Sequence, residues 1–147
     1  MDMDPQKIQV ADVAQWLPQR PPILMLDQVI NLVPGQSGTG VKRFSADDTY
    51  FQGHFPGEPI LPGIYLIEAL AQTALVVLAY QPKSTEEKQL GYLAKVEKMA
   101  FYQPIKPGME LFFSIRVTRR VGRFVMVDCE ATMSEKRCAK GSLTLAI

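Results

Sequence analysis

A chain of 147 residues has room for one domain and a core that is stable without staples. With 16 Lys and Arg against 15 Asp and Glu, its net charge of +1 gives no general reason to expect nucleic acid. Two cysteines, Cys129 and Cys138, are too few for a disulfide framework and lack metal-ligand spacing, so they are expected as reduced thiols in strands.

Met1-Asp2-Met3-Asp4-Pro5 is acidic where a secretory leader would be basic and then apolar. Ile8, Val10, Val13 and Trp16-Leu17 recur at roughly helical spacing, which predicts a short helix closed by Pro18. Ile23 to Leu32 is rich in branched apolar residues and stops at Pro34-Gly35, a strand followed by a turn. Thr39 to Ser45 alternates and should pair with that strand as a hairpin. Asp47 to Pro62 is dense in glycine and proline, yet Tyr50, Phe51 and Phe55 are too apolar for a solvated linker; an ordered loop is expected.

Pro62-Gly63 then opens one long helix, running to about Tyr80. It is apolar on nearly every face, so it should be buried on all sides, and in a small protein only a sheet curled around it can do that. The same stretch is interrupted by Glu68, Gln72 and Thr73 and falls short of the ~20 apolar residues of a membrane span. A cytoplasmic protein is expected. After a polar loop at Gln81 to Lys88 come four strand-like stretches: Leu90 to Phe101, Glu110 to Thr118, Phe124 to Thr132 and Cys138 to Ile147. Short turns between strands make an antiparallel sheet. One helix wrapped by such a sheet is the α+β hotdog layout, here as a single domain over residues 1–147.

Glu68 is the residue that does not belong in a greasy helix. A buried carboxylate without a partner is expensive and normally responds by holding its proton. Tyr65 lies about one turn before it and Gln72 one turn after, giving a polar stripe. Read alone, Glu68 also suits a core ion pair with an arginine, and His54, the only histidine, also suits a packing role in its loop. Together they read differently. Gly53 and Gly57 flank His54, Pro56 and Pro59 stiffen the loop, and the loop runs straight into the helix carrying Glu68. The helix start adds unpaired backbone N–H groups. A base near neutral pH, donors for a developing oxyanion and a carboxylic acid are the parts needed to remove water from a β-hydroxyacyl thioester. No metal or redox cofactor is called for, and no glycine-rich phosphate loop or ligand cluster is present in the sequence.

The run Gly53-His54-Phe55-Pro56-Gly57-Glu58-Pro59-Ile60-Leu61-Pro62-Gly63-Ile64-Tyr65-Leu66-Ile67-Glu68-Ala69-Leu70-Ala71-Gln72 closely resembles the signature of the FabZ-type β-hydroxyacyl-(acyl carrier protein) dehydratases. Leu17-Pro18-Gln19-Arg20-Pro21-Pro22 with Leu26-Asp27, Phe101 to Gly108 and Val127 to Ile147 extend the likeness over most of the chain. The resemblance implies a lyase with the hotdog fold that gives trans-2-enoyl thioesters in fatty acid or polyketide and polyene assembly. It implies His54 and Glu68 as the catalytic pair and Gly63 and Ile64 as amide donors to the thioester carbonyl. It also implies that Gln72 supports Glu68 and that Tyr92 stands at the mouth of an apolar tunnel. The partner would be an acyl carrier protein, whose phosphopantetheine arm is part of the substrate and not a cofactor of this chain. The chain would form a homodimer, often further assembled as a trimer of dimers, in which His54 of one copy meets Glu68 of the other. Carriers are acidic, so Lys95 and Lys98, near Tyr92, are docking candidates; Arg116, Arg119, Arg120 and Arg123 form a second basic group that also reads as a solvated strand end.

Five residues depart from the family pattern: Gln19 for histidine, Pro21 for an aromatic residue, Leu93 for phenylalanine, Tyr102 for arginine and Met109 for aspartate. They bear on docking and tunnel shape rather than on the pair. Two other readings stay open on the sequence: a hotdog thioesterase, which uses a carboxylate to activate water, and a non-catalytic acyl-binding subunit.

Overall fold

The structure is a computed structural model describing residues 7–80 and 91–147. The acidic N-terminal residues and the predicted polar loop at Gln81 to Lys88 lie outside the described residues. Seven strands and one α-helix follow the chain as β1 (Ile8–Val10), β2 (Gln28–Val33), β3 (Ser37–Arg43), α1 (Gly63–Ala79), β4 (Tyr92–Phe101), β5 (Glu110–Val121), β6 (Phe124–Met133) and β7 (Lys136–Ala146). All the strands join one antiparallel sheet in the order β1-β2-β3-β5-β6-β7-β4. The helix packs across β2, β3, β5, β6 and β7. This is the expected α+β hotdog.

The central strands show why the sheet forms. Leu111, Phe113 and Ile115 in β5, and Val125, Val127, Cys129 and Ala131 in β6, are buried at every second position, while Arg116, Phe124 and Asp128 face solvent. That period of two puts one apolar face against α1. The buried residues of helix and sheet form a contiguous cluster that also takes in Leu17, Met25, Phe44, Phe51 and Leu61.

Two predicted elements are corrected. The N-terminal segment is not a helix: Ile8–Val10 is a strand and Val13–Gln15 a single 3-10 turn. The spacing of Ile8 and Val10 is the strand period, and pairing with Leu32 and Val29 of β2 decides it. Ile23 to Leu32 is strand only from Gln28 onward. Met25 and Leu26 are buried outside any strand, because the Met25 N–H is taken by the Gln72 side chain instead of a neighbouring strand. The expectation of a helix buried on all sides also needs correction. Leu66 and Ala69 to Val77 are buried, but Ile64 is 69% exposed and Tyr65, Ile67 and Glu68 are half-buried.

The two sheet edges are unlike. β1 has three residues, whereas β4 has ten and leaves Tyr92, Leu93, Val96 and Phe101 each at least 40% exposed. Short edges are protected; a long apolar one invites pairing.

Both cysteines are free and buried, Cys129 in β6 and Cys138 in β7. Burial, helped by the neighbouring Asp128 charge, pushes the Cys129 thiol up to about 12, and burial also raises Cys138. Each thiol therefore stays protonated in the native chain when the unfolded chain, near ~8.5, has begun to ionise. Their contribution to stability is present below that point and is lost as pH rises above it, for Cys129 toward about 12. Iodoacetamide at pH ~8 is expected to leave both thiols intact in the folded protein and to modify both in guanidinium; rapid labelling of the native chain would contradict this placement.

Candidate active site

The loop between β3 and α1 holds His54 by its own backbone. His54 N–H donates to Phe51 O at 3.3 Å, Ile60 N–H donates to His54 O at 2.7 Å, and Phe55 and Glu58 exchange hydrogen bonds at 3.0 and 3.1 Å. Gly53 and Gly57 have φ of +77° and +79°, a region that costs a residue with a side chain, so glycine at both turns is what lets the loop close. The His54–Phe55 peptide is cis, and the two rings stack with centroids 4.1 Å apart.

His54 Nδ1 lies 2.9 Å from Ile60 O. A carbonyl only accepts, so in the neutral ring the proton sits on Nδ1 and Nε2 carries the free lone pair. The loop thus presents a base by one defined atom.

The helix contributes two kinds of group. Its N-cap is Pro62, which has no side-chain cap, and the N–H groups of Gly63 and Ile64 find no acceptor among the described residues. Free amides at a helix start favour negative charge. One turn on, Glu68 is half-buried and its Oε2 accepts from Gln72 Nε2 at 2.7 Å. Gln72 is fully buried, and its amide cannot turn over: Met25 N–H donates to its Oε1 at 3.0 Å, and its Nε2 also donates to Ile23 O at 2.8 Å. Both backbone partners are of fixed kind, so Gln72 always offers Glu68 a donor. When Glu68 carries a proton, that proton is therefore on Oε1. The supporting role expected of Gln72 has a geometry here, and its signal in sequence was the i, i+4 spacing. Tyr65, placed in the same stripe from the sequence, packs on the Tyr50 ring at 4.9 Å instead. Ile23 and Met25, whose backbone fixes Gln72, were not marked by any sequence signal, since main-chain groups carry none.

Within one chain, no hydrogen bond or ion pair joins His54 to Glu68 among the described residues. A cleft of about 590 Å³ opens beside the helix start, walled by Leu61, Gly63, Ile64, Ile67, Phe101 and Ile105 among others. Tyr92 is not part of that wall; it stands 60% exposed on β4. Lys95 lies on the same edge and pairs with Glu97 at 3.4 Å. Lys98 sits at a bulge in β4 with φ +53° and lines a separate cleft on the opposite face with Arg116, Asp128, Glu130 and Lys140. Among the described residues no group of three or more His, Cys, Asp or Glu is placed to hold a metal ion. No described helix is long and apolar enough to cross a membrane.

The departures have local consequences. The Oε1 of Gln19 is buried without a hydrogen-bond partner among the described residues. Met109 Sδ accepts the Lys106 N–H at 3.4 Å, a weaker cap for that turn than a carboxylate oxygen would be. Tyr102 borders both clefts, and Leu93 is exposed on the β4 edge.

Known proteins resemble this chain over most of its length. A family model described as a FabA-like domain matches residues 17–142. The 3-hydroxyacyl-[acyl-carrier-protein] dehydratase FabZ of Desulfotalea psychrophila is 30% identical over 95% of this chain and 93% of its own. The protein of the same name from Campylobacter hominis is 38% identical over 95% and 97%. Among solved structures, a chain of the dehydratase heterocomplex ApeI:P from Xenorhabdus doucetiae superposes with a TM-score of 0.80 at 21% identity, over 91% of this chain and 89% of that one. The uncharacterised protein PH1136 from Pyrococcus horikoshii does so with a TM-score of 0.65 at 13% identity, over 90% and 91%. At such identities the two structures speak for the fold alone.

Proposed function

The chain belongs to the FabA-like domain family and to the FabZ dehydratases, and from that premise we propose that it dehydrates β-hydroxyacyl thioesters on an acyl carrier protein. The observation that carries the reading is the pairing of a base of fixed tautomer with free helix-start amides and a carboxyl of fixed proton position. The thioester carbonyl lies on the N–H groups of Gly63 and Ile64. His54 Nε2 takes the α-proton, and the electron pair left on the α-carbon is delocalised onto the carbonyl oxygen those amides hold. Glu68 gives its Oε1 proton to the β-hydroxyl, the C–O bond breaks, and water leaves as the trans-2 double bond forms. Transfer of the proton from His54 back to Glu68 through water resets the pair. Side chains and amides carry every step, and the phosphopantetheine arm belongs to the substrate.

We further propose that the site is completed by a second copy. In one chain the pair is unconnected, Ile64 is exposed and Glu68 is only half-buried, while the long apolar edge of β4 stands open. Pairing of two copies through β4 would cover that edge, withdraw Glu68 from water and bring His54 of one copy to Glu68 of the other. Tyr92 would then border the tunnel between the copies, with Lys95, partly held by Glu97, on the same edge facing the acidic carrier, and Lys98, in its own cleft with Arg116 and Lys140, offering a second basic contact. Three such dimers could stack as a hexamer. A soluble carrier substrate places the enzyme in the cytoplasm, serving fatty acid or polyketide-type assembly.

The test is hydration of a crotonyl thioester by the purified protein, followed as loss of enoyl absorbance. Turnover supports the reading. Release of free thiol without enoyl chemistry would make the protein a thioesterase, and binding without any turnover would make it an acyl-binding subunit.

A further inference from the structure

We infer that Phe101 determines which acyl groups the site accepts, its ring forming the wall that faces the amide of Gly63; this rests on the dehydratase reading. A Cβ built on Gly63 would stand 3.0, 3.1 and 3.4 Å from Cε1, Cζ and Cδ1 of Phe101. The ring therefore stands closer to residue 63 than an ordinary contact allows, so a methyl there would have to push it aside by a few tenths of an ångström at the first turn of α1. The ring approaches from the open side: Phe101 is 49% exposed and lines the 590 Å³ cleft with Leu61, Ile64, Ile67 and Ile105.

Main-chain bonds hold the backbone on both sides of the cleft, which fixes where the ring is anchored. Phe101 pairs with Ala139 of β7, and the next residue, Tyr102, donates its N–H to Cys138 O at 2.7 Å. Across the cleft, Leu61 N–H donates to Ile105 O at 2.8 Å, tying the helix entry to the segment that follows Phe101. An acyl thioester whose carbonyl reaches the Gly63 amide must pass its chain along this ring. Removing the ring widens the cleft at that point only, which favours bulky or branched chains over slim ones. One methylene in an apolar pocket discriminates by ~10-fold or more, so a ring should do at least that.

The experiment measures calorimetric binding of a series of straight and branched acyl-pantetheine thioethers, which cannot be turned over, to the full chain. Phe101→Ala and Phe101→Leu are expected to improve affinity for the bulkiest branched chain relative to the shortest straight one by ~10-fold and by a smaller factor, respectively. Gly63→Ala is expected to weaken binding across the series, and Gly63→Ala/Phe101→Ala to recover it, because methyl and ring compete for one space. An equal effect of Phe101→Ala on every chain, or no recovery in the double variant, overturns the proposal. Should Phe101→Ala not fold, Phe101→Leu gives the same ranking with a smaller step. The two readings fail separately: wild type that binds the thioethers but turns over no thioester sinks the dehydratase, whereas wild type that is active yet binds none of them sinks the role of Phe101.

Discussion

Replacing His54 by alanine is expected to lower kcat/KM for crotonyl-thioester hydration by about a thousandfold, the usual size of a lost general base. The magnitude separates chemistry from stability. The substitution also removes the Nδ1 bond to Ile60 O, a partly buried hydrogen bond whose loss costs about 1 kcal/mol. A domain with ~5–15 kcal/mol in hand stays folded after such a loss, so unfolding cannot account for a thousandfold effect. Thermal melting of the variant checks this: a shift of a few degrees beside a near-complete loss of activity assigns the loss to Nε2. Residual activity within tenfold of wild type would remove His54 from the reaction.

The long helix, the hairpin of β2 and β3 and the four C-terminal strands were legible because their signals are local. Period-two alternation in β5 and β6 and a proline-opened apolar run at Gly63 need no knowledge of distant contacts. The N-terminal segment departs from its local pattern because tertiary contacts override it. Val10 is drawn into a strand by β2, and Met25 is kept out of one by a side chain 47 residues away. At the site, the titratable residues could be named from sequence because a carboxyl in a greasy helix and a lone histidine between glycines are chemical anomalies. The devices that orient them could not. The Ile60 carbonyl that sets the His54 tautomer and the Ile23 and Met25 main chain that locks Gln72 are backbone groups that any residue supplies. The half-buried state of Glu68 was also beyond reach, since an apolar pattern does not say whether the cover comes from the same chain or from another one.

That last point leads to the second large effect. His54→Ala and Glu68→Gln, each nearly inactive alone, are expected to regain activity when mixed under conditions that let subunits exchange. Glu68→Gln is the suitable partner because its side-chain oxygen can still accept from Gln72 Nε2, so the helix start keeps its geometry. If each site takes His54 from one copy and Glu68 from the other, a mixed dimer has one site with both residues intact and one with neither. Random pairing makes about half of the dimers mixed, and half of their sites are intact, so the mixture should reach about one quarter of wild-type activity. The rise should follow the rate of subunit exchange. If both residues served a site within one chain, every site in the mixture would lack one of them, and activity would stay at the parents' residual level whatever the mixing time. Recovery near one quarter would also explain why the ten-residue β4 keeps Tyr92, Leu93, Val96 and Phe101 exposed at the sheet edge: it would be a seam inside the active dimer, where those side chains are covered.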